Sequence, residues 1–201
     1  MNILVNGQPF VPDKTPATMS ELFDMINQHD LQGQGIISQV LLDGNLIEFP
    51  EPDEAFPPYG LTGQTIEIVI EQGQTIIRRA VADGLELLQM LQEEMIRCVE
   101  QFRLGELETG NEVLGMVLDK LHVFLEYVTE VMQFSKNLLE TVPDERRLQE
   151  LGGRTAEQIG ALFASQESSD YVLLSDILEF EMAPLLQQWQ QVLESSFYFS
   201  E

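Results

Sequence analysis

Asp119, His122 and Glu126 are the residues whose types and spacing come nearest to a metal centre. They stand at i, i+3 and i+7 of a helical stretch, on one side of a helix. Di-iron bundles take a carboxylate-x-x-His pair from each of two facing helices and a Glu from each of the other two. Here such a pair occurs once, with Asp in place of Glu, and the chain's one other histidine is His29. A solvated polar helix face accounts for the triplet more simply. A metal-dependent helical-bundle enzyme using Asp119, His122 and Glu126 stands as the alternative.

Other reactive residues point the same way. Asp176, Glu179 and Glu181 alternate with Ile177, Leu178 and Phe180, so two of the three acids share a face, as general acid–base pairs do. In so acidic a chain adjacent acids are also expected on an exposed face, since unpaired acids are seldom buried. Cys98, the single cysteine, lies between Ile96 and Val99 in a helical pattern and reads as a small apolar residue. No phosphate-cradling loop, dinucleotide glycine pattern, zinc spacing or nucleophile elbow is present. The expectation is a protein with no catalytic residues and no cofactor.

Charge narrows the partners. One Lys against ten acids in residues 1–70 gives −9, and nine basic against twenty-four acidic residues in 71–201 gives −15. The total of −24 is thus spread over the chain and not gathered in a tail. Such a field repels nucleic acid and anionic membrane surfaces and suits a basic protein or peptide, although surface acids also serve solubility. No apolar run approaches the roughly 18 residues of a membrane span, and MNILVNGQPF reads as a strand instead of a signal peptide. The expected compartment is the bacterial cytosol.

The elements that would carry these residues fall into two parts, because the apolar period changes near residue 71. Before it, apolar bursts are separated by Gly, Pro, Asn and Asp; after it they recur every three or four residues. Asn6-Gly7 is a hairpin signal between strands Asn2–Val5 and Gln8–Val11. Thr18 or Ser20 caps a helix with Leu22, Phe23, Met25 and Ile26 as its buried stripe, and Gln32-Gly33-Gln34-Gly35 stops it. Strands Ile36–Leu42, Leu46–Phe49 and Thr65–Ile70 follow, with the Asp43-Gly44 turn and a loop from Pro50 to Gly60.

In MNILVNGQPF, TMSELFDMI, QVLLDGNLI and LTGQTIEIVI this first third resembles the β-grasp sulfur carriers of thiamin and molybdopterin synthesis. That family ends in a free Gly-Gly whose carboxylate is activated and thiocarboxylated. Here Ile70 runs on into Glu71-Gln72-Gly73-Gln74, and the one Gly-Gly pair, Gly152-Gly153, lies in a helical region. The resemblance therefore implies the fold and not the sulfur chemistry; a recognition module remains.

Beyond residue 71, Ile77, Val81, Gly84, Leu88, Leu91, Met95, Cys98 and Phe102 step by four and three, the seam of helices packed nearly parallel or antiparallel. Gly105 and Gly110 bracket a break. A second seam runs through Leu114, Val117, Leu121, Phe124, Val128 and Val131, with Leu138 and Leu139 beyond. Val142-Pro143-Asp144 marks a stop and restart. A weaker helix from Glu145 to about Ala164 carries Leu148, Leu151, Ile159, Leu162 and Phe163. Gly152-Gly153 should interrupt it by a kink or a close contact. Asp170 begins the last helix, with Tyr171, Leu174, Leu178, Met182, Leu185, Trp189 and Val192 inward and a kink expected at Pro184. The layout is similar to flagellar export chaperones, a likeness too generic to assign residues.

The expected architecture is α+β: a small β-grasp-like domain over residues 1–70, then an antiparallel four-helix bundle over 74–201. The expected function is a non-enzymatic protein-interaction, adaptor or chaperone-like one. Trp189, with Phe180, Met182 and Leu186, lines a groove or packs in the core. The aromatic run Phe197, Tyr198 and Phe199 serves as a partner-binding tail, a dimer contact or internal packing.

Overall fold

Asn6 and Gly7 turn the chain sharply, with φ of 49° and 75°, so that β1 (Asn2–Val5) pairs antiparallel with β2 (Gln8–Phe10). These are positions in a computed structural model that describes residues 1–29, 35–47, 63–138 and 144–197. The expected helix stop at 32–34, the strand end at 48–49 and the Pro50–Gly60 loop lie outside the described residues. So do Leu139, Val142-Pro143, Tyr198 and Phe199.

Asn6 also fixes the far side of β1. Its side-chain oxygen accepts from Ile70 N–H at 2.8 Å, and its amide donates to Ile70 C=O at 3.1 Å. Asp43 repeats the device at φ 50°, accepting from Thr65 N–H at 2.9 Å. Both turns thereby pin their hairpins to β5 (Thr65–Gln72). β5 runs parallel to β1 and antiparallel to β3 (Gly35–Leu42), beyond which lies the short β4 (Asn45–Leu46). The result is a mixed five-stranded sheet in the order β2-β1-β5-β3-β4.

α1 (Met19–His29) starts with a reciprocal cap. Thr18 Oγ1 accepts from Glu21 N–H at 3.2 Å, while the Glu21 carboxylate accepts from Ala17 N–H at 2.8 Å and pairs with Lys14. Its buried stripe is Met19, Leu22 and Ile26 with Phe23 beside them, packed with Ile3, Val5, Val40, Ile47, Ile66 and Ile68 into one core. Met25, expected in that stripe, is only half-buried: Met19, Leu22, Phe23 and Ile26 follow i, i+3, i+4, i+7, and Met25 falls off that line.

Contacts divide the chain into two units, Met1–Ile76 and Ile77–Glu201. α2 (Gly73–Leu104) begins in the residue after β5, so its first turn is counted with the sheet. All eight residues of the expected seam are buried on α2, and Val99 joins them. α3 (Leu107–Leu138) buries Leu114, Val117, Leu121, Phe124, Val128 and Val131 as expected, and adds Gly110, Val113 and Ser135. α4 (Glu145–Glu167) is capped by Asp144, whose side chain accepts from Arg147 N–H at 3.3 Å.

At three places the structure departs from the expected detail or adds to it. Gly152-Gly153 neither break α4 nor meet a neighbour: the helix runs through them, and a side-chain carbon at either would find nothing within 4 Å. Phe163 is 49% exposed, because the buried line of α4 passes through Leu148, Leu151, Thr155, Leu162 and Ser165. Around Pro184 the last helix is widened. After α5 (Tyr171–Asp176), capped by Asp170, comes a π-helical turn over Ile177–Met182, then α6 (Ala183–Ser196) with the proline in its first turn. A proline ring collides with the carbonyl four residues back, here that of Phe180, and a wider turn upstream relieves the collision.

Apart from that π turn the described core-forming elements of the helical unit are α-helices, so the molecule is α+β: a small mixed sheet first, a mostly helical part after it.

Candidate functional site

Glu100 and Arg103 on α2, with Glu179 and Gln187 on the last helix, rim a groove of about 370 Å³. Met95, Val99 and Leu178 form its floor, and all three belong to the core of the helical unit. Ile96 stands on its lip, 61% exposed, and Ala183 lines the opposite wall. The π turn supplies Leu178 and Glu179. The Arg103 guanidinium faces both carboxylate oxygens of Glu179, with Nη1 at 3.4 Å from Oε1 and Nη2 in a closer contact with Oε2. That pair spans the two helices at one end of the groove. Phe102 stacks on Tyr171 beside it, at 5.2 Å between ring centres.

Ile96 was legible only as an apolar residue off the α2 seam, and an amphipathic helix exposes whatever falls off its seam. Arg103 carried no sequence signal, because its importance depends on a residue 76 positions further on.

The acids proposed for chemistry are dispersed. Glu179 is held by Arg103, while Asp176 and Glu181 are exposed and make no ion pair with a described residue. From Thr155 to Glu201 there are eight acids and no Lys, Arg or His. Glu157, Glu167, Asp170, Asp176, Glu181 and Glu194 of these are exposed. The last helix is therefore an anionic surface whose cationic partner at Glu179 comes from another helix.

His122 and Glu126 lie on the outer face of α3, 73% and 65% exposed, with Nε2 at 3.3 Å from Oε1; Asp119 is exposed one turn earlier. Among the described residues no three His, Cys, Asp or Glu side chains gather in a way that could hold a metal ion. A helical i, i+3, i+7 line spreads its members over two turns, so these three need ligands from a neighbouring helix to close a shell.

Trp189 is a core residue, 2% exposed, so the surface-anchor role expected of it would require uncovering. Its ring stands edge-on to Phe124 at 5.6 Å, and its indole N–H donates to Thr155 Oγ1 at 3.0 Å, which satisfies the one polar group it buries. Met182 and Leu186, expected beside it in a groove, are fully buried, and Phe180 is 61% exposed. A second cleft of about 340 Å³ opens over Trp189, between Met132 and Leu148 with Gly152 at its edge. The Lys136–Glu145 ion pair, 2.6 Å long, closes one side of it. Phe197 is 5% exposed and packs in the helical core. Tyr198 and Phe199 lie outside the described residues.

Cys98 is fully buried, and desolvation pushes its thiol up to about 12. Burial likewise raises Tyr127, first, with Asp83 and Glu130 adding to it; its hydroxyl donates to Ala80 C=O at 2.9 Å. Neither group is tuned towards nucleophilic or base chemistry near neutrality.

No described helix is long and apolar enough to cross a membrane. No curated protein and no solved structure matches the chain. Residues 80–192, more than half the chain and most of its helical part, match the family described as a domain of unknown function (DUF8042), and the chain belongs to that family.

Proposed function

We propose that the chain is a β-grasp-like domain followed by an antiparallel four-helix bundle, and that it works as a non-enzymatic adaptor or chaperone-like protein of the bacterial cytosol, binding a basic protein or peptide. The sheet order β2-β1-β5-β3-β4, with β1 parallel to β5 and α1 in the same core, supports the β-grasp reading. Cross-helix contacts support the bundle, because they pair early residues of one helix with late residues of another, and mid-helix residues with each other. Glu94 pairs with Lys120 and Ala80 with Tyr127; Asn111 bonds Gln166, Arg154 bonds Gln188, and Arg103 meets Glu179.

The observation that carries the functional reading is the cation-free stretch from Thr155, in which Glu157, Glu167, Asp170, Asp176, Glu181 and Glu194 are exposed. Such a surface accelerates encounter with cationic partners, and it does so in a salt-dependent way. Affinity capture from bacterial extract at low and high salt tests it, with the full chain and a chain ending at the core residue Phe197 as baits. Basic proteins held at low salt and released at high salt are expected, and weaker retention by the shortened chain would give the aromatic tail a part. Retention indifferent to salt would overturn the electrostatic reading. The alternative, a metal-dependent bundle enzyme using Asp119, His122 and Glu126, has the exposed His122–Glu126 contact as its one starting point. Elemental analysis of protein purified without chelator decides: stoichiometric metal lost in His122→Ala would replace the adaptor reading.

A further inference from the structure

We infer that the groove between α2 and the last helix takes an amphipathic helix of a partner protein, one with an apolar stripe flanked by Lys and Arg. The inference rests on the basic-partner reading above and adds the place and the form of the contact.

The shape comes from the two walls. A groove between packed helices, with an apolar floor of Met95, Val99 and Leu178, accepts the apolar face of a third helix in the helix-in-groove mode. Ile96 at 61% exposure is a large aliphatic side chain whose burial on binding would contribute to affinity. Ala183 leaves the opposite wall low enough for a partner side chain to enter. The wall itself is formed partly by the π turn, which brings Leu178 and Glu179 to the groove, and π turns inside α-helices are frequently found at functional sites.

The charge of the occupant follows from what surrounds the floor. Arg103 is neutralised by Glu179. Glu100 on the rim makes no ion pair with a described residue, and beyond the lining the exposed Asp176 and Glu181 add to the negative field of the last helix. An apolar strip with an uncompensated acid on its rim, set in an anionic surface, is complementary to an apolar stripe edged by cations. A second copy of this chain, at −24, would bring like charge to that rim and is disfavoured.

The test uses the full chain and three labelled peptides, read by fluorescence anisotropy at low salt. One is a Leu/Lys peptide with its leucines at helical spacing. The second has the same composition scrambled so that no stripe forms. The third keeps the stripe and carries Glu in place of Lys. The striped Lys peptide should bind, and Ile96→Ser and Ala183→Phe should each weaken it about tenfold. Val123→Ser, which removes a comparably exposed aliphatic on α3 (52%), should leave binding unchanged. Circular dichroism of each variant confirms that the fold is kept, as the exposure of Ile96 leads one to expect. Equal binding of the striped and scrambled Lys peptides, indifferent to both groove variants, would overturn the groove and leave the basic-partner reading intact. Absence of binding by either Lys peptide at any salt would overturn both. Equal binding by the striped Glu peptide would overturn the cationic flanks. A concentration-dependent dimer abolished by Ile96→Ser would reassign the groove to a second copy.

Discussion

Gly110 and Gly152 are both glycines within α-helices, yet a methyl group would act in opposite directions at the two. At Gly110 an added carbon would lie 2.7 Å from the Phe102 ring, whereas at Gly152 it would meet nothing within 4 Å. Gly110→Ala is therefore expected to cost about 1–3 kcal/mol by overpacking. Gly152→Ala should stabilise by about 0.5–1 kcal/mol, the helix propensity that glycine forfeits. Urea unfolding of the two variants measures both signs, and destabilisation by Gly152→Ala would mean that the cleft over Trp189 has no room for it. Cys98 gives a second prediction at this scale. With its thiol buried and raised to about 12, it should resist iodoacetamide in native protein at pH 8 and react fully once unfolded. Rapid alkylation of the native chain would contradict the packing of α2. Residues such as these were legible in type but not in surroundings. The sequence marks Gly110 as an interruption after Gly105, and only the fold brings the Phe102 ring against it.

At the scale of elements, what was legible follows from local physics. The α2 seam could be read because burial on a helix repeats every three or four residues whatever the partner is, and all eight positions expected there are buried. The Asn6-Gly7 and Asp43-Gly44 turns could be read because positive φ is required at both positions of those turns. The π turn could not, since a proline announces an irregularity without saying whether the helix bends or widens. The groove was illegible for the same kind of reason: Ile96 and Ala183 are distant in sequence, and their pairing is a property of helix packing. The cap of α1 offers a test with a definite pH sign. The Ala17 N–H, and after it Lys14, hold the Glu21 carboxyl below its usual range. A carboxyl lowered on folding contributes stability that is present above its unfolded value and is lost as pH falls through its folded value. Wild type and Glu21→Gln should thus differ in thermal midpoint at neutral pH and converge as the pH drops below the ordinary carboxylate range. A gap that persists in acid would assign the effect to the side-chain change itself and not to its charge.

For the whole molecule the governing quantity is the excess of thirty-four acids over ten Lys and Arg. Even if every cation took one acid, most acids would have none, and their mutual repulsion opposes the compact state more than the expanded one. Exposed charges are screened over about 10 Å at 0.1 M salt and about 3 Å at 1 M. Added NaCl should therefore raise the thermal midpoint, steeply at first and then levelling once neighbouring acids no longer sense one another. KCl should do the same, because screening does not depend on which monovalent salt supplies it. Urea has to be the denaturant in any companion experiment, since guanidinium chloride is itself a salt and would mask the repulsion. The same screening should weaken capture of a basic partner, as both effects draw on one field. Stability and partner binding are thus expected to move in opposite directions along a single salt titration, read by thermal unfolding and by peptide anisotropy on the same samples. A midpoint that fell with salt would mean that the few cross-helix ion pairs, such as Lys120–Glu94 and Arg103–Glu179, outweigh the repulsion of all the acids they leave unpaired.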